Sequence, residues 1–127
     1  MSVQDVSRAV ELELVRLSRE LTAVRPGECV LCYTQRMLLQ FDCDTTLRWS
    51  TRWRDESAPD ARALEVRLAA RGGHCDCEIF WNVYQPQIDP VSGVELWPDE
   101  ADGCRGVRPG SSMPCAMWRP REPHRAA

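Results

Sequence analysis

The 127-residue chain has no lysine, no glycine-rich phosphate loop and no long apolar run at its start. All sixteen basic residues are arginine, which fits a coding bias as well as a preference for planar, bidentate partners. The missing phosphate loop argues against a nucleotide-binding motif. The first 21 residues carry charges every few positions, so they predict neither a signal peptide nor a membrane span. We therefore expect a cytoplasmic protein with no membrane partner.

Histidine is also scarce, and this bears on catalysis. A thiolate nucleophile needs a base and an orienting group, but the chain offers only His74, beside two cysteines, and His124 near its end. We expect a protein without enzymatic activity and without a small-molecule substrate. The enzymatic alternative is a cytosolic dithiol oxidoreductase that uses Cys29 and Cys32, because thiols at a helix start often have a lowered pKa. Against this alternative, no strong strand precedes the pair and no βαβ unit surrounds it.

Apolar spacing predicts a mainly helical protein. Apolar residues recur every three or four positions over residues 2–24, which predicts an amphipathic helix. We expect its apolar stripe to pack on the core; the alternative is that it docks on another protein. Three further helices are predicted at about residues 28–41, 45–54 and 57–71, and the helix at 45–54 is predicted to be capped by Asp42 or Asp44. Residues 78–85 alternate in a way that favours a short strand.

The last third of the chain has a different composition. From Pro86 onward it contains seven prolines and four glycines, which predicts turns and at most a small hairpin. The length fits about one domain with a modest core. We predict a helical zinc-binding domain over residues 1–85, with a short β hairpin or strand, and a Pro/Gly-rich extension over residues 86–127 packed on it.

The seven cysteines point to a metal site. A reducing compartment and an odd count both argue against a disulfide framework. The segment PGECVLCY places Cys29 and Cys32 at a helix start, and the paired glycines of GGHCDCE allow a bend that brings Cys75 and Cys77 together. We predict that these four thiolates bind one Zn²⁺ in a closed tetrahedral site. Sulfur spacing alone leaves an iron–sulfur cluster as an alternative.

The other candidate ligands leave the exact set open. Cys43 lies between two predicted helices and could replace Cys29 or Cys32, while His74 is a weaker alternate beside Cys75. Ten residues separate Cys104 from Cys115 in loop sequence. These two cysteines either form a second site, with Cys43 as a third ligand, or remain free.

An RNA-binding alternative comes from the third predicted helix. Its arginines could follow a phosphate backbone and its tryptophans could stack on bases; the candidate residues are Arg48, Arg52, Arg54 and Trp53. Trp49 and Trp53 are four residues apart, however, and this spacing favours a core position for both.

Two short segments give the sequence a family resemblance. CDTTL at residues 43–47 and CDCE at residues 75–78 resemble the Cys-Asp-x-Thr-Leu and Cys-Asp-Cys-Glu segments of the bacterial domain of unknown function 2695. Many relatives have histidine where this chain has Thr45, so one family ligand is missing, and Cys29 with Cys32 would replace it. CVLCY and GVRPGS…PC resemble an actinobacterial branch. That resemblance implies zinc-dependent ribosome hibernation, with the ribosome or a hibernation factor as partner.

Overall fold

A computed structural model describes residues 2–98 and 103–122. His124 and the parts of the predicted extension at residues 99–102 and 123–127 lie outside the described residues. In chain order, the described part forms α1 (Val3–Leu21), α2 (Val30–Phe41), α3 (Arg48–Ser57), α4 (Leu64–Ala70), α5 (Asp76–Glu78), a π-helix (Ile79–Val83), β1 (Tyr84–Pro86) and β2 (Trp118–Pro120). The predicted mainly helical fold class, with a short β element, is confirmed.

Helix α1 is fully exposed. It begins with a capping box, in which the Ser2 hydroxyl accepts from the Asp5 amide at 3.2 Å and the Asp5 carboxylate accepts in return. None of its residues is buried, so the expectation that its apolar stripe packs on the core is wrong. The stripe misses the core because the chain turns toward the core only at Thr22, after α1 has ended. There the Thr22 carbonyl accepts from the Tyr33 hydroxyl at 2.7 Å.

The core forms where α2 and α3 pack together. Tyr33 on α2 meets Trp49 on α3 edge to face, with ring centroids 6.5 Å apart. Trp53, one turn further along α3, is 1% exposed, and its indole nitrogen donates to the Glu28 carbonyl at 2.9 Å. Both tryptophans therefore occupy the core positions that their spacing predicts.

Residues 78–85 are mostly helical, so the strand predicted there is largely wrong. Only Tyr84 and Gln85 of that segment belong to β1. Ile79, Phe80 and Val83 are buried, and this is the spacing of one helical face rather than of a strand. Apolar residues on both faces hid that pattern in the sequence, since Trp81 points outward and is 67% exposed.

Part of the segment after residue 86 packs against the helical part of the chain. Strand β2 pairs antiparallel with β1, placing Tyr84 opposite Pro120 and Pro86 opposite Trp118. Trp118 also packs on Phe80, with ring centroids 5.2 Å apart. The domain boundary near residue 85 stays a prediction. Within the described ranges, no helix is both long enough and apolar enough to cross a membrane.

Candidate metal centre

Four cysteine sulfurs converge at the start of α2. The Sγ atoms of this group all lie within 4.8 Å of one another, and its members are Cys29, Cys32, Cys104 and Cys115. We call this group the four-thiol centre. The Sγ atoms of Cys32 and Cys115 are 3.7 Å apart. Tetrahedral coordination with Zn–S bonds of about 2.3 Å requires sulfurs about 3.8 Å apart, so a small contraction would complete the geometry.

The first two sulfurs are positioned by the way α2 begins. Gly27 has a φ of 72°, a left-handed turn that suits glycine, and the chain then enters the helix. Cys29 is the N-cap residue, and its Sγ accepts from the Cys32 amide at 3.4 Å. Free amides at a helix N-terminus favour negative charge, so this position suits thiolates.

Further N–H groups point at the other sulfurs. The Cys104 Sγ accepts from the amides of Cys29 and Gly106, each at 3.2 Å. The Cys32 Sγ accepts from the indole nitrogen of Trp118 at 3.3 Å. Donors of this kind orient metal-binding thiolates and stabilise their charge. The donor set and its surroundings therefore fit a thiophilic cation such as Zn²⁺.

The centre is also largely closed to water. Cys29 is 0% exposed, and Cys32 and Cys115 are buried as well. Hydrogen bonds from the Cys29 and Cys32 thiols lower the pKa of Cys115, while the bond to Cys115 is the main cause that raises the pKa of Cys29. The pKa of Cys32 is raised as well, first by its bond to Cys115. Negative charge is therefore concentrated in a buried pocket, where a cation would neutralise it.

The structure groups the cysteines differently from the sequence prediction. Cys75 and Cys77 are not members of the four-thiol centre; against the opposing effect of burial, the Cys77 amide and the two thiols instead help to lower the pKa of Cys43. The predicted site of Cys29 and Cys32 with Cys75 and Cys77 is therefore corrected to two separate groups. Cys104 and Cys115 likewise join Cys29 and Cys32 rather than Cys43. The predicted alternate His74 is exposed and belongs to neither group.

A buried carboxylate that the sequence did not reveal explains this grouping. Asp76 is 0% exposed and accepts from the amides of Trp49 at 2.9 Å and Ser50 at 3.2 Å. It therefore caps α3, in place of the predicted Asp42 or Asp44. These bonds tie the Cys-Asp-Cys segment to the start of α3. Burial raises the pKa of Asp76. In the sequence, an aspartate between two cysteines looked like an ordinary loop residue.

The arginines of α3 form ion pairs with nearby carboxylates. The pairs are Arg48 with Asp44 at 3.7 Å, Arg52 with Glu56 at 3.3 Å, and Arg54 with Glu65 at 2.6 Å. The Trp53 ring is in the core, so it offers no surface on which a base could stack. The RNA-binding alternative gains no support from this geometry.

Fold and site together define a small, mainly helical protein with a cysteine group that could hold a metal ion. A family model described as "Protein of unknown function (DUF2695)" matches residues 30–82, which supports the resemblance to that family. Uncharacterized proteins of Mycobacterium tuberculosis and Mycobacterium bovis are 38% identical over 56 residues, or 44% of this chain. The chain spans 57% of the length of these relatives. No solved structure matches it significantly.

The family match has a structural consequence. It covers residues 30–82, so it contains Cys32, Cys43, Cys75 and Cys77 but none of Cys29, Cys104 and Cys115. Three of the four cysteines of the four-thiol centre therefore come from parts of the chain that this match does not cover.

Proposed function

We propose that the chain is a non-catalytic adaptor in which Zn²⁺ at the four-thiol centre fastens the C-terminal segment to α2. The observation that carries this proposal is the origin of the sulfurs, since Cys29 and Cys32 lie at the start of α2 and their partners come from beyond residue 100. Cys32 and Cys115 are 83 residues apart in sequence. A metal bond across such a separation links metal binding directly to folding.

Burial of the thiols supports a metal-binding role over dithiol exchange. A dithiol oxidoreductase must expose an activated thiolate to its substrate. Cys29, Cys32 and Cys115 are all buried, and the pKa of Cys29 is raised, first by its bond to Cys115. A colourless protein after aerobic purification, with stoichiometric zinc, would support zinc, whereas a brown protein would indicate an iron–sulfur cluster.

The partner-binding surface in this proposal is the apolar stripe of α1. Its exposed members fall on one face at helical spacing; they are Val3, Val6, Val10, Leu14, Leu17 and Leu21. Because α1 buries none of its residues, packing against the rest of the protein contributes little to its stability. An amphipathic helix of this kind is suited to bind in a groove of another molecule.

Charge along the stripe favours a protein partner over a nucleic acid. At 100° per residue, Glu11 lies on one side of the stripe, and Glu13 and Glu20 lie on the other. Arg16 bonds to both Glu13 and Glu20 from the far side of the helix. Carboxylates beside the stripe would repel phosphates but match a groove with basic side chains at its rim.

The family resemblance suggests what the adaptor connects. In the proposed role, the zinc-binding chain recruits a hibernation factor to the ribosome. The test uses purified chain, ribosomes and hibernation-promoting protein in a cosedimentation assay. We expect the chain to increase the ribosome-bound fraction of the hibernation-promoting protein. An unchanged fraction at saturating chain concentration would contradict this role.

A matched pair of α1 variants tests the docking surface. We expect Leu14→Asp to weaken partner binding at least about tenfold, because a charged group would enter an apolar groove. Leu12→Asp should leave binding nearly unchanged, since Leu12 lies on the opposite face although it is similarly exposed, 64% against 60%. Binding is measured by cosedimentation and helicity by circular dichroism. Equal losses in the two variants would argue against the stripe as the docking surface.

A further inference from the structure

A cleft of about 450 Å³ opens between α4, the start of α2 and the C-terminal segment. Its floor is apolar and buried; the residues that form it are Val30, Leu31, Leu64, Leu68 and Val83. Arg67 and Arg71 of α4 also line the cleft, and both are exposed, so they form its rim. We call this feature the α4 cleft. An apolar floor with a basic rim suits an apolar surface that has acidic neighbours.

The two arginines at the rim are available to carboxylates from outside the chain. Within the described ranges, neither guanidinium forms an ion pair, and Arg67 donates to the Ser112 hydroxyl at 2.9 Å. That bond runs from α4 to the C-terminal segment, so it joins two walls of the cleft. Arginine binds carboxylates strongly when it can offer two parallel N–H groups. The rim therefore favours an acidic occupant.

The apolar stripe of α1 has the complementary chemistry. Leu14, near its middle, is 60% exposed. Glu11 lies on one side of the stripe, and Glu13 and Glu20 lie on the other. The ion pairs of these two glutamates with Arg16 are at the surface, where such pairs contribute little to stability. The carboxylates can therefore pair with arginines of another surface at little cost.

The α1 helix does not fill the cleft of its own chain. None of the described residues that line the cleft belongs to α1. The residues after α1 are fixed elsewhere, because the Thr22 carbonyl accepts from the Tyr33 hydroxyl at 2.7 Å and the Val24 amide donates to the Glu56 carboxylate at 3.3 Å. Helix and cleft are thus separate in one chain, but each is open to a second copy.

We propose that two copies of the chain form a dimer, in which the α1 stripe of each copy lies in the α4 cleft of the other. The exchange is reciprocal, so it has twofold symmetry and closes as a dimer. Since the interface contains this contact twice, each contact needs to bury only half of the roughly 1,200–2,000 Å² that is usual for a stable complex. Pairing of the two α1 stripes with each other is disfavoured, because it would bring acidic residues against acidic residues.

The dimer has a consequence for the partner contact. The same stripe serves as the docking surface of the adaptor, so the dimer and the partner complex exclude each other. This consequence rests on the proposed function, whereas the dimer itself does not.

Analytical ultracentrifugation of the full chain at about 1–100 μM tests the dimer. We expect a monomer–dimer equilibrium for the wild type. Leu14→Asp should raise the dimer dissociation constant at least about tenfold, and Leu12→Asp, on the opposite face of α1, should raise it less than about threefold. A wild-type chain that stays monomeric over this range, or equal weakening by the two variants, would overturn the proposal.

Charge reversal at the rim tests the other half of the contact. We expect Arg71→Glu to weaken the dimer at least about fivefold, because it would repel the glutamates beside the stripe. Arg62→Glu makes the same charge change at an exposed residue outside the cleft and should have less than about a twofold effect. A dimer that Leu14→Asp weakens and Arg71→Glu does not would place the contact between the two α1 helices and overturn the cleft assignment. Circular dichroism shows whether each variant has kept its helices.

The dimer and the proposed function can fail separately. A monomeric wild-type chain that still increases the ribosome-bound fraction of the hibernation-promoting protein would overturn the dimer alone. A dimer that depends on both Leu14 and Arg71, in a chain without effect on cosedimentation, would support the dimer and contradict the adaptor role.

Discussion

Replacing Cys115 by serine is expected to abolish binding of the Zn²⁺ proposed for the four-thiol centre and to destabilise the protein by at least about 3 kcal/mol. Structural zinc in zinc-finger peptides contributes apparent binding free energies of about 10–16 kcal/mol at neutral pH, and much of this becomes folding free energy. Cys115 is 4% exposed and its Sγ lies 3.7 Å from that of Cys32, so serine would leave a poor ligand inside a closed site. We expect the melting temperature to fall by more than about 10 °C.

Reversible removal of the metal from the wild-type chain should cause the same loss of stability. A strong chelator should lower the stability of the wild type toward that of Cys115→Ser and leave little further effect in the variant. Tryptophan fluorescence reports on the change locally, because the Trp118 indole donates to the Cys32 sulfur. Met113→Ala, at an exposed position in the same segment, is the control and should change stability by no more than about 0.5 kcal/mol. A melting temperature that is unaffected by complete metal removal would refute the proposal that Zn²⁺ fastens the C-terminal segment to α2.

Local patterns predicted the helical framework well. The apolar spacing of α2 and the four-residue spacing of Trp49 and Trp53 each mark one helical face, and the structure buries Leu31 and Met37 of α2 together with both tryptophans of α3. Such signals depend on neighbouring residues, so a sequence carries them directly. The apolar stripe of α1 was recognised for the same reason. Whether that stripe meets the core depends on where the chain turns after Leu21, which periodicity does not encode.

The spacing of neighbouring residues could not predict which cysteines come together in the fold. Cys29 and Cys75 each begin a helical segment, and joining two such neighbouring motifs is the simplest arrangement that spacing allows. The actual partners of Cys29 are set by the route of the C-terminal segment, whose β2 strand pairs with β1 and returns Cys115 to α2. The prediction that this segment packs on the helical domain did not specify which thiols it brings together. The sequence predicted a short hairpin or strand, but it did not indicate which two segments would pair.

Asp76→Ala should be strongly destabilising although it lies outside the four-thiol centre. The carboxylate caps α3, and removing such a cap costs about 0.5–2 kcal/mol. It also accepts from the Ser50 hydroxyl at 2.9 Å, and Ser50 is itself buried. Leaving buried donors without a partner costs about 1–3 kcal/mol. We therefore expect a total loss of about 2–4 kcal/mol, measured by urea denaturation with zinc in excess.

Two further substitutions separate capping from general damage. Asp76→Asn keeps a side-chain oxygen that can accept from the Ser50 amide, so it should recover about half of the lost stability. Asp55→Ala removes an exposed carboxylate from the same region, whose ion pair with Arg54 lies at the surface, and should cost less than about 0.5 kcal/mol. If Asp76→Ala were no more destabilising than Asp55→Ala, Asp76 would not be the anchor between α3 and the Cys-Asp-Cys segment. The positions of Cys75 and Cys77 opposite Cys43 would then need another physical cause.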